Sequence, residues 1–426
     1  MTHWQTRSLG ECADWLSGGT PSKANPSFWN GSIPWVSAKD MKSFRIRDTE
    51  DHISHSAVGR GGKVIPPGTT LLLVRGMTLH NDVPICVAMR DMAFNQDVKA
   101  IRAKADVDSE FLAYWFCAHK PALLAAVDHA GHGTGRLLTD LLKKMVVTLP
   151  SLPEQKAIAA VLGALDDKIE LNRRTSATLE AMARALFQGW FVDFDPVRAK
   201  LDGRQPIGLD SATAALFPNE FEESDLGPIP QGWSIGKVND IVTFNRGSLD
   251  PSEFPDELFA HYSLLAFDEG RMPKLEVGAA IKSQKLVVHA DEVLVSKLNP
   301  HIPRIWLPDL TTETRAVCST EFLVTRSRST MSREFLFCLF TSGAFASEYA
   351  TLVTGTTGSH QRVKAESVLQ MNIVIPPIPL VDRFSAFAKP VFDKVVRGIR
   401  ESATLAAIRD ALLPRLLSGE ASPSAH

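Results

Sequence analysis

Two glycine-rich stretches, each ending in an arginine, are the feature of this 426-residue chain that most directly suggests chemistry. Gly131-His132-Gly133-Thr134-Gly135 precedes Arg136, and Gly355-Thr356-Thr357-Gly358-Ser359-His360-Gln361 precedes Arg362. Backbone N–H groups bared by glycine beside a helix start suit a phosphate, and the arginine adds charge. A flexible turn with a solvated arginine is the alternative. Recurrence favours contact with nucleic acid, through Thr134 and Arg136 in one copy and His360, Gln361 and Arg362 in the other. No Walker-type lysine follows either loop, which argues against a nucleotide site. Arg75 and Lys297 close equivalent apolar runs, and Asn81, Asn299 and Arg304 lie just beyond them. Such side chains reach base edges or phosphates, although strand-end charges facing water have the same appearance. Lys39, after Ile33-Pro34-Trp35-Val36-Ser37, is a further candidate of this kind.

Catalytic constellations are missing from the sequence. Asp128, His129 and His132 imitate part of a metal site, but no further ligand stands at a telling spacing, so surface histidines are the preferred reading. There is no nucleophile elbow, no Asp/Glu-Lys nuclease cluster and no methyltransferase tetrapeptide of the Asn-Pro-Pro-Tyr kind. A hydrolase with its active site between two domains therefore lacks its nucleophile. Lys and Arg number 46 against 48 Asp and Glu, the net charge is −2, and 44% of residues are hydrophobic. That balance excludes disorder and a uniformly basic coat while leaving room for local basic patches. The five cysteines are widely spaced, so a reducing cytoplasm is expected rather than a disulfide framework. The N-terminal residues lack a signal-peptide pattern, and no apolar run approaches the roughly 18 residues of a membrane span.

The elements that would position the candidates occur twice. Trp4 and Gly18 align with Trp233 and Gly247, and Leu72-Leu73-Val74-Arg75 with Leu294-Val295-Ser296-Lys297. Phe111-Leu112 aligns with Phe335-Leu336, and Arg136, Pro150 and Pro153 with Arg362, Pro376 and Pro379. A duplication follows. Val64 to Val74, Val98 to Ile101, Glu292 to Val295 and Phe322 to Val324 read as strands. Asp108 and Ser332, at matching places, read as N-caps of the helices Phe111 to Ala118 and Phe335 to Phe340. Each half is thus a mixed α/β domain whose strand order periodicity does not reveal.

A long helix follows each domain. In the first, Ile158, Leu162, Leu165, Ile169, Asn172, Ser176, Leu179, Ala183, Leu186 and Trp190 step by alternating four and three. In the second the same steps give Phe384, Ala388, Val391, Val395, Gly398, Ser402, Leu405, Arg409, Leu412 and Leu416. These are heptad seams with a polar interruption, expected to pack on each other, and Pro390 and Pro414 are expected to kink the second helix. Each helix would be about 55 Å long, against about 34 Å for a turn of B-DNA. An antiparallel pair would hold two domains apart about an approximate two-fold axis, as a ruler. The expected divisions are 1–152 and 231–378 for the domains, 153–194 and 379–418 for the long helices, 195–230 for an extended proline-rich linker and 419–426 for a tail. The fold class is α/β: two similar mixed α/β domains separated by an antiparallel coiled coil, with a pseudo-two-fold internal repeat.

Three signatures carry a family resemblance. Leu152-Pro153-Glu154-Gln155-Lys156 opens the first long helix, and Leu186-Phe187-Gln188-Gly189-Trp190-Phe191-Val192-Asp193-Phe194-Asp195-Pro196-Val197 closes it. Phe217-Pro218 through Leu226-Gly227-Pro228-Ile229-Pro230-Gln231-Gly232-Trp233 leads into the second domain. Across its whole length the chain resembles the specificity subunit of Type I restriction–modification systems. It departs in the second copy, where Pro379-Leu380-Val381-Asp382 replaces Pro153-Glu154-Gln155-Lys156. The resemblance implies two target recognition domains that bind an interrupted double-stranded DNA sequence. It also implies two modification subunits, which methylate adenine with S-adenosylmethionine, and restriction subunits, which use ATP and Mg to translocate and cleave DNA. The chain itself is then expected to bind no cofactor, to catalyse nothing and to have no membrane partner. The segments at about 40–62 and 248–285 differ most between copies and are natural places for different half-site specificity. Two readings stay open beside this one: the specificity component of a related restriction or phage-defence methylation system, and a coiled-coil adaptor without DNA specificity.

Overall fold

Gln5–Ser8 pairs antiparallel with Val146–Leu149, Gln5 opposite Leu149, and Ser234–Lys237 pairs with Asn372–Ile375, Ser234 opposite Ile375. The second ribbon uses the residues that the sequence repeat aligns with the first, so the duplication is structural and in register. The computed structural model describes residues 4–128, 133–310, 314–328, 331–354 and 361–423. They form two units: Met1–Glu170 with Thr404–His426, and Leu171–Ala403.

The first unit holds a five-stranded sheet in the order Ala13–Ser17, Val98–Ala103, Thr70–Leu73, Ile85–Ala88, Arg45–Ile46. Beside it in sequence is a four-stranded sheet, His52–Ile53, Trp29–Val36, Met92–Phe94, Val64–Ile65. The second unit repeats the central order as Val242–Asn245, Phe322–Ser327, Glu292–Ser296, Ile305–Trp306. Its other sheet runs Ser248–Leu249, Lys285–Val287, Arg315–Cys318, Leu258–Tyr262, Lys274–Val277. A parallel pair recurs in both, Val36 opposite Phe94 and Tyr262 opposite Cys318. The strand expected over Val64 to Val74 divides into Val64–Ile65 and Thr70–Leu73. Pro66 and Pro67 have no N–H to give to a ladder, and Gly68 turns the chain at φ +82°.

The caps stand where expected. Asp108 Oδ1 accepts from Phe111 N at 2.9 Å, and Ser332 Oγ from Phe335 N at 3.1 Å. Phe111, Leu112, Phe335 and Leu336 are buried below them. Gln155 of the opening signature ties the first cap to the long helix. Its Oε1 accepts from Asp108 N at 2.8 Å while its Nε2 donates to Pro150 O at 3.0 Å. In the second copy Val381 fills the glutamine's place in the core, and Ser385 Oγ donates to Ser332 Oγ at 2.8 Å instead. The departure in the second signature therefore exchanges one tether for another.

The long helices are Leu152–Phe191 and Ile378–Leu417, 40 residues each. Helical structure continues through Pro390 and Pro414. In the second unit Asn172 Nδ2 donates to Glu401 Oε2 at 2.9 Å, a Cβ on Gly398 would stand 3.1 Å from Ser176 Oγ, and the Phe187 and Phe384 rings are 5.6 Å apart. Rising numbers on one helix meet falling numbers on the other, so the pair is antiparallel. In the first unit Ile158 and Leu162 share a core with Leu413 and Leu416, and Arg409 donates to Asp166 at 2.6 Å. Of the expected seam, Ile158, Leu162, Asn172, Ser176, Ala183, Trp190, Phe384, Ala388, Val395, Gly398 and Leu416 are buried. Leu165, Ile169, Leu179, Leu186, Val391, Leu405, Arg409 and Leu412 are half-buried, whereas Phe187, Phe392 and Leu413 lie deeper. Each helix also packs on its α/β domain, and a 3.6-residue period drifts from a heptad, so the buried stripe shifts by one residue.

The extended linker expected over 195–230 is a folded segment. Asp195–Leu201 and Ser211–Ala215 are helical, and Phe221–Glu222 pairs with Ile229–Pro230. Phe217 and Ile229 are buried in the core that holds Phe187, Trp190, Phe191 and Trp233, and the Phe194 ring lies 5.5 Å from Trp233. Burial of Phe217 and Ile229 overrides the extended bias of its five prolines, one of which, Pro196, sits in the first turn of a helix where no N–H is missed.

Candidate nucleic-acid interface

The strand Thr70–Leu73 leads through Val74 into a two-residue ribbon, Arg75–Gly76 against Gly135–Arg136. Arg75 stands directly opposite Arg136, and both side chains are exposed. Like charges opposed across a ribbon repel, so the arrangement is relieved by an anion. Gly135 is needed here, because a Cβ would fall 2.8 Å from Val127 Cγ1 and 2.9 Å from Leu79 Cβ. His80 Nε2 is 2.9 Å from Gly133 O, which fixes the described end of the glycine-rich loop beside Thr134. Asn81 is exposed at the end of the turn Met77–His80.

Sequence reasoning missed three cations that belong to this surface. Lys99 lies half-buried on the strand Val98–Ala103, its Nζ donating to Ser17 Oγ. Burial, and then the charges of Lys143, Lys63 and Arg136, push the Lys99 ammonium below its ordinary range. Lys63, Lys99 and Lys143 come from three separate segments and share no motif. Only the fold assembles them. Among the described residues, Lys63, Arg75, Lys99, Arg136 and Lys143 form no ion pair. Lys39 does: its Nζ lies 3.0 Å from Glu50 Oε2 and 2.9 Å from Asp51 Oδ2, and these carboxylates raise its pKa.

The second unit brings its candidates together differently. Lys297 is half-buried, and its backbone N donates to Glu321 O at 2.8 Å. Asn299 adopts a left-handed conformation at φ +50°, donates from its backbone to Gln361 O at 2.9 Å, and has no hydrogen-bond partner for its buried Oδ1 among the described residues. Arg304 is held by Asp268 through Nε at 2.7 Å and Nη2 at 2.8 Å. Arg362 meets Glu321 in the same forked manner, with Nε 3.0 Å from Oε2 and Nη2 2.9 Å from Oε1. His360, like His129 and His132, lies outside the described residues. Among those described, no group of three or more His, Cys, Asp or Glu could hold a metal ion.

The domain in each unit is fastened to the long helices by polar contacts as well as by the core. Tyr114 Oη donates to Asp166 at 2.6 Å, the carboxylate that Arg409 also meets, and Arg45 bridges Glu110 and Asp167. In the second unit Arg271 meets Glu180 at 2.7 Å, and Arg400 meets Asp309.

Comparison with known proteins adds an independent line. Residues 1–181 match the model of the Type I restriction modification DNA specificity domain. The Type I restriction enzyme MjaIX specificity subunit of Methanocaldococcus jannaschii is 25% identical over 432 residues, covering 98% of this chain and 93% of that protein. The EcoR124I/EcoR124II specificity subunit of Escherichia coli is 31% identical over 165 residues, covering 38% of this chain and 40% of its own. The crystal structure of the Type I restriction–modification S subunit from M. genitalium has the same fold, with a TM-score of 0.55 over 97% of this chain and 96% of that one at 15% identity.

Proposed function

We propose that the chain is a specificity subunit of a Type I restriction–modification system, as its likeness to such subunits supports, and that it reads double-stranded DNA as two half-sites separated by an unread gap. One observation carries this reading: a single α/β reader occurs twice, with the same strand order and the same register, each copy joined to both long helices. The exposed Arg75–Arg136 ribbon, with Lys63, Lys99 and Lys143, supplies phosphate contacts in the first copy. Phosphate contacts set affinity and position, and base edges met by the divergent segments set sequence.

The chemistry belongs to the partners. Two modification subunits take the target adenine out of the stack and methylate it with S-adenosylmethionine, and restriction subunits use ATP and Mg. This chain contributes binding and scaffolding in the cytoplasm, and no catalytic group. Its thiols fit that role: burial pushes Cys117 and Cys338 up to about 12, so neither is a thiolate nucleophile at neutral pH.

Binding of duplex DNA by the chain assembled with its modification subunits tests the proposal. Protection should cover two short blocks with an accessible gap, and affinity should fall steeply with salt. Protection of one continuous stretch, or binding without sequence preference, would overturn it.

A further inference from the structure

The two recognition domains repeat one fold, but they do not repeat its charges. By the ladder registers of the two copies, at the places of Lys63, Arg75, Lys99, Arg136 and Lys143 in the first domain stand Leu286, Leu298, Leu323, Arg362 and Leu369 in the second. Four of the five positions have become leucine. Lys285, one residue before the place of Lys63, is buried, and its ammonium is spent on Ser283, 2.9 Å from the backbone O and 2.6 Å from Oγ. Of the five only Arg362 remains, and it faces Glu321 together with Lys297, which stands at the place of Val74. The hydrogen bonds of Arg362, and the charges of Arg362 and Lys297, hold the Glu321 carboxyl below its usual range.

The place of Glu321 is held in the first domain by Asp97. The backbone correspondence is close: Asp97 O accepts from Val74 N at 2.8 Å, as Glu321 O accepts from Lys297 N at 2.8 Å. Asp97 is one methylene shorter, and among the described residues it makes no ion pair, so Arg136 keeps its charge for an external anion. A forked arginine–carboxylate pair is the same geometry that an arginine uses for phosphate. Glu321 therefore competes with the DNA backbone for Arg362.

We propose that Glu321 withholds Arg362 from phosphate, so that the first recognition domain carries most of the backbone grip and the second is held chiefly by its base contacts. The inference rests on the DNA-binding reading above. Its consequence is physical: phosphate contacts add affinity to any sequence alike, and a domain that forgoes them stays on DNA only where its own bases are present.

The test uses the full chain assembled with its modification subunits and a labelled duplex carrying the sequence that this complex methylates, titrated with salt. Arg136→Ala should weaken binding about ten-fold, and Arg362→Ala less than two-fold. Glu321→Gln should tighten binding about two- to five-fold, within the range of an exposed ion pair, and steepen the log–log salt dependence by about 0.9, the value of one added phosphate contact. Both gains should vanish in the double variant Glu321→Gln/Arg362→Ala. Equal losses from the two arginine variants, an unchanged affinity in Glu321→Gln, or a gain that persists without Arg362 would overturn the inference. If the unaltered complex shows no sequence-selective binding, it is the DNA-specificity reading that falls. Selective binding that ignores Glu321 leaves that reading intact and removes only this proposal.

Discussion

Arg75 and Arg136 stand opposite one another and, among the described residues, neither forms an ion pair, although Asp128 pairs with Arg136 through the backbone; that is the sharpest residue-scale sign of an anionic partner. Arg136 was visible in the sequence through its recurrence after a glycine-rich loop, and Arg75 as the close of an apolar run. Lys63, Lys99 and Lys143 were not, because nothing in their local sequence separates a cation gathered into a patch from a solvated one. Replacing Lys99 with methionine keeps the stem of a half-buried side chain while removing its charge. The salt dependence of DNA binding should become shallower by about 0.9 if the ammonium meets a phosphate, and an unchanged slope would take Lys99 out of the interface. A different residue bears on stability. Glu292 is fully buried, accepting from His289 N at 2.7 Å and Asn245 Nδ2 at 2.9 Å, and burial raises its pKa. A carboxyl raised in the folded state favours folding only while protonated, so its charged form costs stability at neutral pH. Glu292→Gln should therefore raise the Tm at pH 7, and the difference should fade as the pH falls toward the unfolded value of about 4.3. A lower Tm at pH 7 would show that the carboxylate's hydrogen bonds outweigh its burial.

At the scale of elements, the helices owe their ends to short-range chemistry that sequence displays openly. Asp108 and Ser332 cap as their spacing implies, and removing either hydroxyl or carboxylate oxygen should cost about 1 kcal/mol in a thermal or urea melt. The long helices were equally legible in length and periodicity, but not in which stripe goes deepest. The seam counted from Leu186 and Val391 gives way to Phe187 and Phe392, because each helix is buried against an α/β domain as well as its partner helix. The segment 195–230 departs from the expected extension for a related reason: its prolines favour extended backbone, whereas Phe217 and Ile229, with Phe194 just before the segment, insert into an aromatic core. Inside the helix pair, Asn172 is 7% exposed and donates to Glu401 and to Gly398 O. Asn172→Ala should lower stability by about 1–2 kcal/mol, since it leaves a buried acceptor with less. A change within a few tenths would mean that water replaces the amide.

For the whole molecule, the informative fact is duplication with unequal charge. A net charge of −2 gives no general attraction to DNA, so the grip depends on where cations are exposed and which carboxylates accompany them. Repetition of the fold was legible from a handful of aligned residues. Strand order was not, since it follows from long-range pairing that periodicity does not encode. Part of the difference between the copies was hidden as well, because it lies in whether a carboxylate reaches an arginine, which is a matter of one methylene at Asp97 and Glu321. Two readers of one fold, joined through the same pair of helices, should direct modification to a divided sequence. Mapping methylated adenines across the genome of a strain carrying this chain and its modification subunits tests that most directly. The expected result is two short specific blocks separated by a fixed number of unspecified base pairs, with an adenine modified in each. Methylation within one uninterrupted sequence, or a pattern that persists when this chain is deleted, would contradict it.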